Sequence, residues 1–342
     1  MLNGKSILIT GGTGSLGKML VKTILAKYKP EKLIVFSRDE LKQFEMAQTW
    51  STEKYPCMRY FLGDVREQDR LKRAFSGVDY VIHAAALKQI PAAEYNPYEC
   101  IKTNIMGAVN VTEAAIENNV KRVIALSTDK AVNPINLYGA TKLCSDKLFV
   151  AAHVYAGLHE TKFAVVRYGN VLGSRGSVIP FFKEKAKTGI LPITDARMTR
   201  FWITIGRAVE FVLGSLEKMQ GGEIFVPRIP SMKITDLAKA VAPNCKHENV
   251  GIRPGEKIHE TLISEDEARN IVQFRDCFVV QTDLEARTKL IKHGGKLCDD
   301  HFRYDSGNNT EWLSVEQLQK FAQKSGEDES VEKEPWYMED LP

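Results

Sequence analysis

The sequence predicts an α/β protein: a Rossmann-type doubly wound parallel sheet with a smaller, irregular C-terminal part. Three observations predict it. Short apolar strands alternate with longer amphipathic runs, a glycine-rich loop follows the first strand, and Tyr138 and Lys142 stand one helical turn apart. Lys5–Thr10 (K-S-I-L-I-T) has the length and β-branching of a short buried strand. The loop Gly11–Gly17 leads into an amphipathic run from Lys18 to Tyr28. Lys32–Ser37, Tyr60–Gly63 and Tyr80–Ala84 read as the next three strands. Ile101–Asn119 reads as a helix, Arg122–Ser127 as the fifth strand, Tyr138–Val154 as a helix and Phe163–Arg167 as the sixth strand. Such βαβ units take right-handed crossovers, and their ligand crevice lies at the carboxyl ends of the strands.

After Asn170 the rhythm changes. Pro, Gly and Arg become frequent, and helical stretches near Ile205–Met219 and Ile234–Ala242 alternate with loops. The expected organisation is a nucleotide-binding sheet over 1–170, with later segments returning to it, a mainly substrate-binding part over 171–325, and an acidic tail over 326–342. That tail reads as a solvated segment, with docking of Trp336 and Tyr337 on a neighbouring subunit as the alternative.

Composition narrows the class. Net charge is +4 with both signs interleaved, without the basic stripe that nucleic acid calls for. No run of about 18 apolar residues suggests a membrane span. The N-terminus runs into a strand without a signal-peptide core, so a cytoplasmic enzyme is expected. The six cysteines lie at 57, 100, 144, 245, 277 and 298 with no C-x-x-C pair. They read as reduced, mostly buried thiols, Cys100 and Cys144 as core, and no metal site is expected.

Within Gly11, Thr13, Gly14, Ser15, Leu16 and Gly17, the glycines permit a tight turn and close approach of a pyrophosphate to the helix N-terminus. The second strand ends Ser37-Arg38-Asp39, where the ribose 2′ position of a dinucleotide is read. Arg38, with Lys42 one turn on, suits a 2′-phosphate and favours NADP over NAD, while Asp39 would suit a 2′-hydroxyl. Asp64 and Val65 end the third strand and should touch adenine; Ala84 and Ala86 let the backbone approach the cofactor. Tyr138 and Lys142 point the same way on a helix. The Lys142 ammonium is expected to lower the Tyr138 pKa, so that the phenolate takes a proton while a nicotinamide takes a hydride. Ser127-Thr128-Asp129-Lys130 adds a second acid and base at the preceding strand end, which a simple dehydrogenase does not need.

Together with longer strings these motifs resemble one family. Ala84-Ala85-Ala86-Leu87-Lys88, Ser127-Thr128-Asp129-Lys130, Arg167-Tyr168-Gly169-Asn170-Val171, Arg197-Met198-Thr199-Arg200-Phe201-Trp202 and Arg253-Pro254-Gly255-Glu256-Lys257 are similar to the inverting UDP-N-acetylglucosamine 4,6-dehydratases of bacterial pseudaminic acid and related surface-sugar pathways. These are extended short-chain dehydrogenase/reductases, and the likeness runs from Lys5 to about Trp312. Retaining dehydratases carry Asp-Glu where this chain has Asp129-Lys130, and plain 4-epimerases carry neither partner.

The resemblance implies a cycle. Tyr138, helped by Lys142 and Thr128, takes the C4 hydroxyl proton, neutral Lys130 removes H5, and protonated Asp129 gives a proton to the C6 hydroxyl. A lysine in a closed pocket near Lys142 is expected to be depressed toward neutrality. The resemblance further implies substrate contacts from Lys88, Thr128, Asn170, Ser177, Val178, Arg200, Arg253 and Glu256, and a homo-oligomer, often a hexamer. Blander readings stand beside these: a strand-end ion pair for Lys130 and Asp129, surface charges for Arg200 and Arg253, a helix N-terminal charge for Glu256, and a satisfied core residue for His83. The rival functions are a retaining dehydratase or 4-epimerase, an oxidoreductase that releases NADPH, and a non-catalytic NADP-binding regulator.

Overall fold

The computed structural model describes residues 1–172, 178–324 and 341. Ser177, Trp336 and Tyr337 lie outside the described residues. Leu341 packs into the core, and Lys218 Nζ donates to its carbonyl at 2.7 Å.

Six strands are laid down in order: β1 (Ser6–Thr10), β2 (Lys32–Ser37), β3 (Met58–Leu62), β4 (Tyr80–His83), β5 (Arg122–Thr128) and β6 (Lys162–Tyr168). They pair in parallel in the order β3-β2-β1-β4-β5-β6, and Ile224–Pro227 joins β6 in parallel. Cys277–Val280, Ile271–Gln273 and Lys296–Leu297 then extend the sheet antiparallel, making ten strands among the described residues. Later segments thus return to the main sheet.

Both sheet faces are covered, which is why the strands read as continuous apolar runs. Successive side chains leave β1 and β2 on opposite faces. Ile7, Ile9, Leu33 and Val35 pack with Leu20 and Ile24 of helix α1 (Ser15–Lys27). Leu8, Ile34 and Phe36 pack with Leu71 and Phe75 on the other face. The C-terminal part holds a core of its own around Ile179, Phe182, Leu191, Trp202, Met232, Leu237 and Leu318.

Several elements differ from the sequence reading. The third strand starts earlier, at Met58, and helices α2 (Glu40–Thr49) and α3 (Gln68–Phe75) follow β2 and β3. The stretch expected as one helix from Ile101 is composite. A short helix α4 (Ile90–Tyr95) precedes it, α5 (Pro97–Ile101) opens on Pro97, Lys102–Met106 is a π turn, and α6 (Gly107–Glu117) continues. The widened turn seats Asn104, whose Nδ2 donates to Leu87 O and Thr141 Oγ1 and whose Oδ1 accepts from Leu87 N. Helix α7 (Leu137–Tyr155) comes next. Cys144 is exposed rather than core, and of the six free thiols only Cys100 and Cys277 are buried. Among the described residues no helix is long and apolar enough to cross a membrane.

Candidate active site

The carboxyl ends of the parallel strands open into one cavity of about 1210 Å³. Every described residue that the sequence assigned to cofactor or substrate lines it, from Gly11 at the glycine loop to Glu256 in the C-terminal part.

At the loop end, Gly17 is required by close approach: a Cβ there would lie 2.3 Å from Gly12 O. No side chain caps α1 at Gly14, which suits that helix N-terminus to an anion. Thr10 Oγ1 hydrogen-bonds His83 Nδ1 at 2.8 Å and accepts from Ala84 N and Ala85 N. This ties β1 to β4 and fixes the Ala84–Ala86 wall. His83 is therefore the satisfied core residue expected; burial, helped by Lys142, pushes its pKa down to about 3. Beside the β2 end, Asp39 caps α2 by accepting from Lys42 N, and Lys42 Nζ pairs with Asp39 as well. Lys42 thus reaches the cavity already partnered. Arg38, half-exposed, faces Asp64 at 3.6 Å, and Asp64 also takes Arg66.

At the catalytic end, β5 runs into a single 3₁₀ turn, Asp129–Ala131. Asn136 then caps α7, its Oδ1 accepting from Gly139 N at 2.8 Å. A Cβ on Gly139 would lie 2.1 Å from Lys130 O, so only glycine lets α7 press against that turn. The result is a cluster of the buried Thr128, Asp129, Tyr138 and Lys142 with the half-buried Lys130. Thr128 Oγ1 donates to Asp129 Oδ1 at 2.8 Å, and Lys130 Nζ donates to the same oxygen at 3.1 Å.

Two electrostatic expectations are corrected here. Lys130 is not depressed. Burial acts downward, but Asp129 and Glu260 outweigh it and hold the ammonium well above the ordinary lysine range. Nor is the Tyr138 pKa lowered. Burial, with Asp129, pushes that phenol up to about 12 against the opposing pull of Lys130 and the Thr128 hydroxyl. Lys142 is itself lowered by burial.

The remaining wall belongs to the C-terminal part. Arg200 is mostly buried, not a surface charge; its Nη1 donates to Thr199 O and Ile258 O. Arg253 is 63% exposed and faces Glu256 at 3.8 Å. Glu256 lies in a turn rather than at a helix N-terminus. Val178 opens the helix Val178–Lys185, Asn170 begins the strand Asn170–Val171, and burial lowers the Lys88 pKa. Asn170 Oδ1, Trp202 Nε1, Thr103 Oγ1, Asp129 Oδ2 and Glu256 Oε2 are buried with no partner among the described residues. All five residues line the cavity. Each such atom costs about 1–3 kcal/mol unless a ligand satisfies it, so the wall fits a ligand rich in hydroxyl, amide and phosphate groups.

Sequence reading missed Thr103, Trp202, Glu260 and a charged network behind the pocket. Asp146 accepts from Ser127 Oγ at 2.8 Å and lies 3.5 Å from Arg167 Nη2; Arg167 also reaches Glu267 at 3.1 Å. The signals were an acid one turn beyond Lys142 and an arginine ending an apolar strand, which requires a carboxylate partner. Glu260 had no local signal.

A doubly wound sheet with a glycine loop and a buried Tyr–Lys pair beside a Ser-Thr strand end defines a short-chain dehydrogenase/reductase. The family model described as polysaccharide biosynthesis protein matches residues 7–282, and the chain belongs to that family. It is 57% identical over 327 residues to the UDP-N-acetylglucosamine 4,6-dehydratase (inverting) of Campylobacter jejuni, covering 93% of this chain and 97% of the relative. The X-ray structure of Pen from Bacillus thuringiensis matches with a TM-score of 0.86 at 36% identity, over 95% of this chain and 98% of Pen. The dTDP-glucose 4,6-dehydratase DesIV of Streptomyces venezuelae, solved with NAD bound, shares the fold at a TM-score of 0.66 and 23% identity, over 74% and 86% of the two chains.

Proposed function

We propose that this protein dehydrates UDP-N-acetylglucosamine with inversion at C5, giving UDP-2-acetamido-2,6-dideoxy-β-L-arabino-hex-4-ulose. The observation that carries this reading is the Asp129–Lys130 pair, 3.1 Å apart at the end of β5 and beside Tyr138. The relative named for this reaction, alike over nearly the whole chain, supports it. The cofactor is NADP, held by the loop Gly11–Gly17, by Ser37, Arg38 and Lys42, by Asp64 and Val65, and by Ala84 and Ala86. The enzyme works as a cytoplasmic homo-oligomer feeding surface-sugar synthesis, with 1–170 serving the cofactor and 171–325 mainly the sugar nucleotide. Arg200 and Arg253 face the diphosphate, and Asn170, Lys88, Val178 and Glu256 surround the remainder.

A bound nicotinamide would supply a hydride acceptor for C4 in its oxidised form, together with a ring charge that favours the Tyr138 phenolate, and a hydride donor for C6 in the reduced form so produced. Tyr138 takes the C4 hydroxyl proton, with Lys142 and Thr128 holding the phenol in place. The C4 ketone acidifies H5. One proton transfer from the Lys130 ammonium to the Asp129 carboxylate turns the ion pair into an amine and a carboxylic acid, the pair that elimination needs. Lys130 then removes H5, and Asp129 protonates the departing C6 hydroxyl. A solvent-derived proton added to C5 from the face opposite Lys130 sets the L configuration.

Proton NMR of the protein with UDP-N-acetylglucosamine in deuterated water tests this. A new C6 methyl signal, deuterium at C5 and L-arabino couplings are expected. A methyl signal with D-xylo couplings would make the reaction retaining and refute the role of Lys130.

A further inference from the structure

We propose that Glu260 is the positioning residue of Lys130, clamping its ammonium from the side opposite the cavity so that Nζ stays between two carboxylates and in reach of the sugar. The proposal rests on the Lys130 role given above and extends it to a residue outside the cavity wall. Glu260 is 3% exposed, and its Oε1 lies 3.4 Å from Lys130 Nζ and 3.9 Å from Arg200 Nε. It sits just before the strand Thr261–Ile263, and its own backbone is fixed: Glu260 N donates to Ser306 Oγ at 2.9 Å, and Ser306 N donates to Glu260 O at 2.8 Å. Glu260 Oε2 has no partner among the described residues. A carboxylate buried this deeply needs a cation, and Lys130 stands nearer to it than Arg200.

The charges around Lys130 make the arrangement specific. Asp129 and Glu260 raise its proton affinity; Arg200 opposes them, Tyr138 adds to them, and Lys88 and Lys257 stand close enough to couple to it. Lys257 is itself anchored by donating to Val132 O at 2.6 Å. Asp129 is committed to Thr128 and to acid catalysis. Glu260 is therefore the carboxylate that stays beside Lys130 Nζ, as amine or ammonium, once Asp129 has taken or given its proton. It makes Lys130 the stronger base toward a weakly acidic C–H and receives it again as the ammonium.

Glu260→Gln removes the charge at nearly constant shape, and Glu260→Asp keeps the charge and shortens the reach. The Lys130 Cε signal of carbon-13 lysine-labelled protein, assigned by its loss in Lys130→Arg, is followed against pH. Its midpoint should fall by about one pH unit or more in Glu260→Gln and recover in part in Glu260→Asp. Deuterium exchange at C5 of the product should slow at least tenfold in Glu260→Gln, with KM for the sugar nucleotide within twofold of the parent. An unmoved midpoint, or a moved midpoint with an unchanged exchange rate, overturns the proposal. Should the parent protein leave the sugar nucleotide unchanged while the midpoint moves as stated, the proposed reaction fails and the Lys130–Glu260 coupling stands.

Discussion

The two ends of the cavity are built on opposite electrostatic plans. At the glycine-loop end the charges are partly exposed and pair mostly within a few residues, Asp39 with Lys42 and Asp64 with Arg66, with Arg38 facing Asp64 as well. At the catalytic end they are mostly buried and, beyond the adjacent Asp129–Lys130 pair, pair across the fold: Lys130 with Glu260, Arg167 with Asp146 and Glu267. Exposed pairs are screened by water and contribute little to stability. Buried pairs gain strength from low dielectric and become costly when one partner is lost. One end can therefore change a ligand preference cheaply, whereas the other holds proton donors and acceptors in fixed positions.

The largest effect should fall at the buried end. Tyr138→Phe removes only the phenol oxygen, and turnover measured by product NMR should drop about 10³-fold while dinucleotide binding, followed by fluorescence, persists. A loss under tenfold would mean that another group takes the C4 proton. Arg167→Met leaves Asp146 buried without its arginine, so denaturant unfolding should report a loss of about 3–5 kcal/mol. A variant as stable as the parent would show that Asp146 is held by Ser127 alone.

His83 tests the same region through pH. Its folded midpoint near 3 lies below the ordinary 6.5, so the neutral ring contributes stability that is in place above pH 6.5 and is lost as pH falls toward 3. The parent should lose up to about 1.4 kcal/mol per pH unit more than His83→Asn across that window. Parallel stability curves would contradict the buried neutral ring. The smallest effect belongs to the exposed end. Arg38→Ser should shift the ratio of NADP to NAD affinity by about tenfold toward NAD with little change in unfolding, because it removes one charge-assisted hydrogen bond. An unchanged ratio would move 2′-phosphate recognition elsewhere.

The same contrast explains what could be read from the sequence. The loop-end groups belong to contiguous strings on strand ends, so Gly11–Gly17, Arg38 and Asp64 were legible from local pattern. Tyr138 and Lys142 were legible from helical spacing. Their protonation states were not, because burial and the approach of Glu260 decide them, and neither has a sequence period. Lys130 illustrates the point: as a lysine in a closed pocket near the Lys142 cation it read as depressed, whereas the fold seats it between two carboxylates. The π turn at Lys102–Met106 was hidden for a similar reason, since its seat for Asn104 is provided by Leu87 and Thr141.

The central claim is that the buried end runs a redox-neutral elimination and hands back the hydride it removed. It is tested most directly with UDP-N-acetylglucosamine carrying deuterium at C4, turned over in ordinary water. The account predicts a product whose C6 methyl is CH₂D, with no net change in absorbance at 340 nm. A product without deuterium at C6, or accumulation of reduced cofactor, would contradict it.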